Sequence, residues 1–178
     1  NQILYKDIAS EKIIFCDGPL SHNPYFDWLP TAPVKGEILH IKTKAPLPED
    51  VIFNRGVFLV KNPQHDYYRV GATYEWKNLD YKPTEKAKKQ LTDKLDDLLN
   101  VDYEIVEQVA GIRPASKDRR PLIGNHPEKK NVFIFNGLGT KGVSLAPYFA
   151  RQFVNSIFNL EKLNDEVNIN RYYPLYSN

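Results

Sequence analysis

The chain has 178 residues, of which 26% are charged and 42% are hydrophobic. This composition is typical of a globular protein that folds as one domain, or as one domain with an appendage. The formal net charge of +2 is too small to indicate an obligatory nucleic-acid partner, and no apolar run approaches the roughly eighteen residues of a membrane span.

The only cysteine is Cys16, which excludes an internal disulfide. This is typical of a reducing compartment, so we expect a cytoplasmic protein. Within the apolar run IIFC we expect Cys16 to be a small buried hydrophobe. The sequence contains no methionine, so it does not begin at its own start codon. We therefore expect a processed product or a piece of a longer protein.

Short strands are predicted in the first part of the chain. The run EKIIFCDG predicts a buried strand that ends in a turn at Asp17 and Gly18. The next stretch, PLSHNPYFDWLPTAP, is rich in proline and predicts an ordered irregular loop. Further strands are predicted at VKGEILHIK, VIF, GVFLVK and YYRVGATYEW, separated by turn residues, which indicates an antiparallel sheet.

The hydrophobic period then changes to that of a helix over residues 84–100. Thr84 follows Pro83 and is a suitable N-cap. The apolar face of the helix carries alanine and leucine, with lysine and aspartate opposite. The residues of this apolar face are Ala87, Leu91, Leu95, Leu98 and Leu99. After the helix, DYEIVEQVAGIRP returns to a strand pattern.

The last third of the chain predicts a strand, a glycine-rich loop and a helix. The strand covers residues 132–135 and the helix covers residues 143–159. Pro147 is compatible with that helix if it lies in the first turn. The polar, tyrosine-rich tail from 161 to 178 is expected to lie along a surface.

The sequence lacks the motifs of three common kinds of site: a metal site, a serine hydrolase site and a Walker A nucleotide site. Metal binding is not expected, because the four histidines are far apart and none is paired at ligand spacing with cysteine or another histidine. Serine hydrolase chemistry lacks the Gly-x-Ser-x-Gly elbow, and GLGTKGVS does not match the Walker A frame. The histidines are His22, His40, His65 and His126.

The glycine-rich loop has the spacing Gly-x-Gly-x-x-Gly at Gly137, Gly139 and Gly142. A dinucleotide-binding unit also needs an acidic residue roughly 20 positions further on, at the end of a second parallel strand. Here that interval holds a helix and a polar tail. The spacing alone therefore favours a tight turn at a helix start.

Arg113 lies at the end of an apolar strand, between Gly111 and Pro114. A guanidinium held on a rigid strand end can bind a carboxylate through two parallel N–H bonds. A surface ion pair would place an arginine there equally well. The residues alone leave both interpretations open.

Taken together, these segments resemble the D-amino-acid oxidase and glycine oxidase family of FAD-dependent oxidoreductases. The resemblance covers roughly residues 12–158 and passes in order through IIFCDG, APVKGEIL, YYRVGATYE, AGIRPASKDRRPLIGNHPE and NVFIFNGLGTKGVSLAP. It implies an α+β fold, with a mixed, largely antiparallel substrate-binding sheet, flanking helices, and a final strand–loop–helix of the FAD domain.

The resemblance also implies a division of the chain. Residues 1–34 would end a segment of the FAD domain, 35–112 would form the substrate-binding sheet, 113–160 would return to the FAD domain, and 161–178 would be a tail. Family members begin with a strand, a Gly-x-Gly-x-x-Gly loop and a helix that bind FAD. Nothing similar precedes residue 1 here. The resemblance therefore implies a C-terminal fragment that is inactive, and without FAD, unless its N-terminal FAD-binding part is present.

Roles for individual residues follow from the resemblance. Arg113 would bind the carboxylate of a small amine or amino-acid substrate. The positive end of the following helix would stabilise negative charge on the reduced flavin. Tyr74 would face the substrate, since Phe58 stands where many members have a tyrosine. The loop against the flavin ring would comprise Gly137, Leu138, Gly139, Thr140, Lys141, Gly142 and Val143.

Two alternatives remain open at this point. The C-terminal oxidase of a tRNA wobble-uridine modifying enzyme shares the RP..KD..P.IG stretch and the glycine loop, although the small net charge does not favour tRNA binding by this piece. The other alternative is a non-catalytic binding domain, in which the aromatic residues, 12% of the chain, would form a protein interface. No membrane partner is expected.

Overall fold

The structure is a computed structural model that describes residues 2–19 and 23–176. It divides the chain into two compact units. The first unit comprises Asn1–Pro33 and Arg113–Asn178, and the second unit comprises Val34–Ile112. The fold is α+β with mostly antiparallel sheets, as the sequence predicts.

Within the described residues, the strands and helices occur along the chain in the following order: β1 (Ile3–Tyr5), β2 (Ile8–Ser10), β3 (Ile13–Phe15), β4 (Val34–Thr43), β5 (Ile52–Asn54), β6 (Phe58–Lys61), β7 (Tyr68–Gly71), α1 (Glu85–Asp96), β8 (Tyr103–Arg113), β9 (Leu122–Asn125), β10 (Val132–Asn136), α2 (Gly142–Ile157) and α3 (Tyr173–Tyr176). Two 3₁₀ turns, Gly139–Lys141 and Ile169–Tyr172, precede α2 and α3.

The second unit contains a five-stranded sheet in the order β5-β6-β7-β4-β8. Successive side chains of a strand point to opposite faces of the sheet, so one face can be apolar. That face packs against α1, where Leu91 and Leu95 are fully buried with Leu39, Leu59 and Val70. The predicted strand YYRVGATYEW is shorter than expected: β7 ends at Gly71, and only Glu75 returns to pair with β4 through a single bridge.

Helix α1 begins where the sequence predicts and ends earlier. Thr84 is the N-cap, and its hydroxyl accepts a hydrogen bond from the Ala87 N–H at 3.2 Å. The helix ends at Asp96 rather than at residue 100. Leu98 and Leu99 still pack against the core, because the turn after the helix points them inward.

The Thr84 cap predicts a loss of stability on truncation. The Thr84 hydroxyl also donates to Glu37 Oε1 at 2.9 Å, and Glu37 is almost fully buried. Thr84→Ala is therefore expected to lower the free energy of unfolding by about 1–2 kcal/mol, measured by urea denaturation. Thr84→Ser keeps both bonds and should stay within about 0.5 kcal/mol of the parent. Equal losses in the two variants would contradict the cap.

The first unit is built on a three-stranded sheet in the order β3-β10-β9. β10 is parallel to β3 and antiparallel to β9. One face of this sheet packs against Phe26, Leu29 and Ile169. On the other face, Phe133 of β10 is buried under Phe153 of α2, with ring centroids 5.9 Å apart.

The structure corrects two expectations for this unit, one for Cys16 and one for Pro147. Cys16 is exposed rather than buried, because β3 is an edge strand with a neighbour on one side only among the described residues. Helix α2 begins at Gly142, so Pro147 lies beyond the first turn of the helix. Proline has no N–H group, so one carbonyl of the preceding turn lacks its usual hydrogen-bond donor. Pro147 is on the exposed side of the helix, where water can donate to that carbonyl instead. The polar tail also buries Leu163 and Val167.

Candidate functional site

Two turns lie side by side at one edge of the sheet in the first unit. They follow β3 and β10, which are parallel neighbours, so their carboxyl ends meet at the same edge. Asn136 joins the turns: its Nδ2 donates to Asp17 Oδ1 at 3.1 Å and to the Gly18 carbonyl at 2.9 Å. Open α/β sheets bind ligands outside the carboxyl ends of parallel strands. This edge is therefore the candidate site.

The first two glycines of the loop are required by its backbone. Gly137 has φ +73° and Gly139 has φ +55°, a region that L-residues with side chains avoid. A Cβ atom on Gly137 would lie 2.8 Å from the backbone nitrogen of Leu122. Gly142 has an ordinary helical φ of −56°. The tight turn at a helix start, which the spacing favours, is thus present.

Three N–H groups of the loop are used to hold the loop itself. Gly137 N–H donates to Asn136 Oδ1 at 2.8 Å. Gly139 N–H donates to the Pro114 carbonyl at 2.9 Å, and Lys141 N–H donates to the Leu138 carbonyl at 3.0 Å. A ligand at this edge would therefore depend on the start of α2 rather than on these three groups.

The start of α2 has the properties of an anion-stabilising helix end. No side chain caps it at Lys141, and the first N–H groups of a helix lack intrahelical partners. The helix dipole adds partial positive charge at this end. Val143, in the first turn, is 98% exposed, so an apolar side chain stands uncovered beside those N–H groups.

The segment that carries Arg113 is tied to the glycine loop. The hydrogen bond from Gly139 N–H reaches Pro114, the residue after Arg113, and Ala115 forms an antiparallel bridge with Leu138. Arg113 itself is half-buried. The fold therefore brings together the two segments that the sequence singled out, although they are far apart along the chain.

Tyr74 belongs to the second unit and is described within that unit alone. Its ring is 54% exposed and stacks on Trp76, with centroids 6.1 Å apart. The backbone on either side is fixed to β4: Thr73 N–H donates to Glu37 O at 3.2 Å, and Glu75 N–H donates to Lys35 O at 2.9 Å. Tyr74 is thus an exposed aromatic ring on a well-anchored segment.

The Asp118 carboxylate is the acceptor of a hydrogen-bond cluster that the sequence motifs did not predict. Asp118 follows Arg113 in the run RPASKD, and its carboxylate accepts hydrogen bonds from Arg171 Nε at 3.0 Å, Ser116 Oγ at 2.9 Å and Arg120 N–H at 3.1 Å. Arg171 also donates to the Pro121 carbonyl at 2.9 Å. This cluster fastens the C-terminal tail to the segment after Arg113.

Asp118 predicts a pH-dependent contribution to stability. Burial alone raises the pKa of its carboxyl, but the hydrogen bonds outweigh burial and lower the pKa from 3.8 to about 2. The folded pKa lies below the unfolded one, so the stabilisation is present above about pH 4 and is lost as the pH falls towards 2. Because the carboxylate is partly exposed, we expect it to contribute about 1–2 kcal/mol.

The test is urea denaturation of Asp118→Asn between pH 2 and pH 7. The variant should be less stable at pH 7 and should lose part of the pH dependence between about pH 4 and 2. Asp165→Asn, which removes an exposed ion pair with Lys162, is the control and should have little effect. A variant curve parallel to that of the parent would rule out this role for Asp118.

The described residues contain no group of three or more His, Cys, Asp and Glu side chains that could hold a metal ion. His22 lies outside that part of the chain. No helix in residues 2–19 and 23–176 is long and apolar enough to cross a membrane.

Residues 5–155 match the FAD dependent oxidoreductase family, and the chain belongs to this family. The resemblance drawn from the sequence motifs is therefore confirmed. The family match places the chain in the class of FAD dependent oxidoreductases.

Curated relatives include a glycine oxidase of Pseudomonas aeruginosa, 27% identical over 165 residues, which cover 89% of this chain and 45% of the relative. The tRNA 5-methylaminomethyl-2-thiouridine biosynthesis bifunctional protein MnmC of Vibrio campbellii is 28% identical over 162 residues, covering 72% of this chain and 24% of that protein. The crystal structure of glycine oxidase from Geobacillus kaustophilus has the same fold, with a TM-score of 0.72 at 24% identity over 88% of this chain and 44% of that one. The chain thus spans about half the length of these glycine oxidases.

Proposed function

We propose that this chain is the C-terminal part of a longer FAD-dependent oxidoreductase that oxidises an amine or amino acid by hydride transfer to flavin N5. The observation that carries the proposal is the Gly139–Pro114 hydrogen bond, which joins the Arg113 segment to the glycine loop at the carboxyl edge of β3 and β10. Family membership and the glycine oxidase relatives support the reaction class.

The residues of the loop fit a flat, partly anionic group. Glycine at positions 137 and 139 lets the backbone turn sharply, and Val143 offers an uncovered apolar contact. The uncapped start of α2 can stabilise negative charge. FAD, when bound, supplies the hydride acceptor. We propose that the loop from Gly137 to Val143 holds the ring of that group.

Arg113 has the task of positioning the substrate. Its guanidinium can bind a carboxylate through two parallel N–H bonds, which fixes both the distance and the orientation of the substrate. The positive end of α2 favours a state in which negative charge has developed, so it stabilises the transition state more than the ground state. Tyr74 remains a proposed contact for the substrate.

The experiment is to produce the longer protein that contains this chain and to record its visible spectrum. We expect a yellow protein whose flavin absorbance is bleached by one member of a panel of small amino acids and N-substituted glycines under anaerobic conditions. The 178-residue chain alone should bind no FAD. A colourless longer protein that takes up no FAD would contradict the proposal, and flavin reduction by the short chain would contradict its need for a partner.

The Vibrio campbellii relative favours a second candidate with the same chemistry. In this case the oxidised group would be carried by a modified tRNA base, and Arg113 would keep a carboxylate as its ligand. Salt-sensitive binding of tRNA by the longer protein, with no bleaching by free amino acids, would select this candidate.

A further inference from the structure

The main chain directly after Arg113 is held between two other segments of the first unit. On one side, Lys117 N–H donates to Pro30 O at 2.9 Å. On the other side lies the glycine loop, whose Gly139 N–H donates to Pro114 O at 2.9 Å. These bonds connect the strand end that carries Arg113 to the glycine loop through a short stretch of backbone.

A turn over residues 116–120 continues this stretch. Residues 117–120 carry charged, exposed side chains, whereas Ser116 is buried. The Ser116 Oγ lies 2.9 Å from Asp118 Oδ1 and 2.6 Å from Arg120 O, and its single proton can be donated to one of them at a time. Arg120 N–H donates to Asp118 Oδ1 at 3.1 Å. The Asp118 carboxylate is therefore the group that closes the turn.

Arg171 of the C-terminal tail holds that carboxylate in place. Its Nε donates to Asp118 Oδ2 at 3.0 Å. Its Nη2 donates to Pro121 O and its Nη1 donates to Asn168 O, each at 2.9 Å. All three nitrogens of the guanidinium are thus engaged, which fixes the orientation of its plane. The side chain is only 16% exposed, so water screens the pair less than it screens an ordinary surface ion pair.

The tail has anchors of its own that do not involve Arg171. Ile169 is fully buried against the three-stranded sheet. Val167 is buried as well, and its carbonyl accepts a hydrogen bond from the Ile123 N–H of β9 at 3.0 Å. The turn at 116–120 instead consists mostly of exposed charged residues. The Asp118–Arg171 pair therefore matters more for the position of the turn than for that of the tail.

We propose that Asp118 and Arg171 are positioning residues for the substrate. By closing the turn at 116–120 they hold the strand end before it, so that the Arg113 guanidinium meets the substrate carboxylate with both N–H bonds aligned. Two aligned bonds require placement to within about 0.5 Å, and a shift of about 1 Å can lower the rate about 100-fold. This proposal rests on the proposed function, because it takes Arg113 as the residue that binds the carboxylate.

The first test is steady-state kinetics of Arg171→Gln in the longer protein. The KM for the amino-acid substrate should rise about 10-fold, with a smaller change in kcat. The KM for an amine that lacks the carboxylate should stay at the parental value, because that amine makes no contact with Arg113. Parental kinetics with both substrates, or equal increases of the two KM values, would overturn the proposal.

Arg120→Gln is the matched control for this variant. The Arg120 side chain pairs with Glu166 at 3.6 Å and so joins the same turn to the same tail, but both side chains are more than half exposed. Its backbone N–H, which bonds to Asp118, is unchanged by the substitution. Arg120→Gln should therefore have the parental KM for the amino acid.

The second test is a double-mutant cycle with Asp118→Asn. This variant removes the other partner and should raise the KM for the amino acid by a similar factor. The double variant Asp118→Asn with Arg171→Gln should be about as impaired as either single variant, because the two residues act as one unit. An increase equal to the product of the two single increases would show independent roles and overturn the proposal.

The third test, hydrogen exchange in the longer protein, needs no substrate. In Arg171→Gln the Gly139 amide should exchange about 5-fold or more faster, because its acceptor Pro114 is held less firmly. The Ile123 amide should keep its parental rate, because the apolar anchors of the tail remain. An unchanged Gly139 amide would overturn the proposal. Equal acceleration at Ile123 would do so as well, since Arg171 would then serve to hold the tail.

These tests separate this proposal from the proposed function. A longer protein that takes up no FAD would refute the proposed function, while the Gly139 amide would still decide whether the pair holds the segment after Arg113. A flavoprotein that oxidises amino acids, with the same KM in Arg171→Gln as in the parent, would refute the positioning role alone.

Discussion

Arg113→Lys in the longer protein should raise the KM for an amino-acid substrate by about 10- to 100-fold, with a smaller change in kcat. A lysine keeps the charge but loses the planar pair of donors, and a hydrogen bond to a charged group is worth about 1.5–3 kcal/mol. Steady-state kinetics with the preferred amino acid provides the measurement.

The decisive comparison uses an amine that lacks the carboxylate. Arg113→Lys should leave the KM for that amine unchanged, because the contact that it weakens is absent. Arg119→Lys, an exposed arginine in the same stretch of chain, is the matched control and should behave like the parent with both substrates. If Arg113 serves only a surface ion pair, the variant will change the Tm and leave both KM values unaltered.

Gly137→Ala should lower the free energy of unfolding by about 2–5 kcal/mol. The new residue would have to adopt φ +73°, which costs about 1–2 kcal/mol. Its Cβ would also lie 2.8 Å from the backbone nitrogen of Leu122, and relieving such a contact costs about 1–3 kcal/mol. Urea denaturation of the 178-residue chain measures the loss without any cofactor.

Two further glycines separate the strain from the clash. Gly18 has φ +78° with nothing within 4 Å of an added Cβ, so Gly18→Ala should show the conformational cost alone, about 1–2 kcal/mol. Gly111 lies in β8 with open space and no positive φ, so Gly111→Ala should be neutral or should raise the free energy of unfolding by up to about 1 kcal/mol. Equal stability of Gly137→Ala and Gly111→Ala would refute the turn described for the loop.

Features that depend on nearby residues could be predicted from the sequence. The period of Ala87, Leu91 and Leu95 determines the buried face of α1, and Thr84 determines its start. Alternating apolar residues and turn residues locate the strands of the second unit. The order of the glycine and arginine motifs was enough to indicate the family, because those motifs need particular residues at short, fixed spacings.

Contacts between distant segments could not be predicted in this way. Asp118 and Arg171 are 53 residues apart, and no local period or motif connects an acid with an arginine over that distance. Cys16 lies in an apolar run but is exposed, because burial depends on how many strands flank β3. Leu163 and Val167 lie in a polar tail and are buried, because the tail packs beside β9 and under α2.

The sequence by itself located the strands β3 to β8 and β10 and the helices α1 and α2, and it also determined that glycine is required in the loop and which family the chain resembles. Only the tertiary structure decided what the loop can offer a ligand. Gly139 N–H donates to Pro114 O, a residue from a distant segment, so that donor is already occupied and the uncapped start of α2 takes its place. The physical reason is that a backbone N–H has one proton to donate, and its acceptor is selected by packing between segments, which residue spacing does not encode.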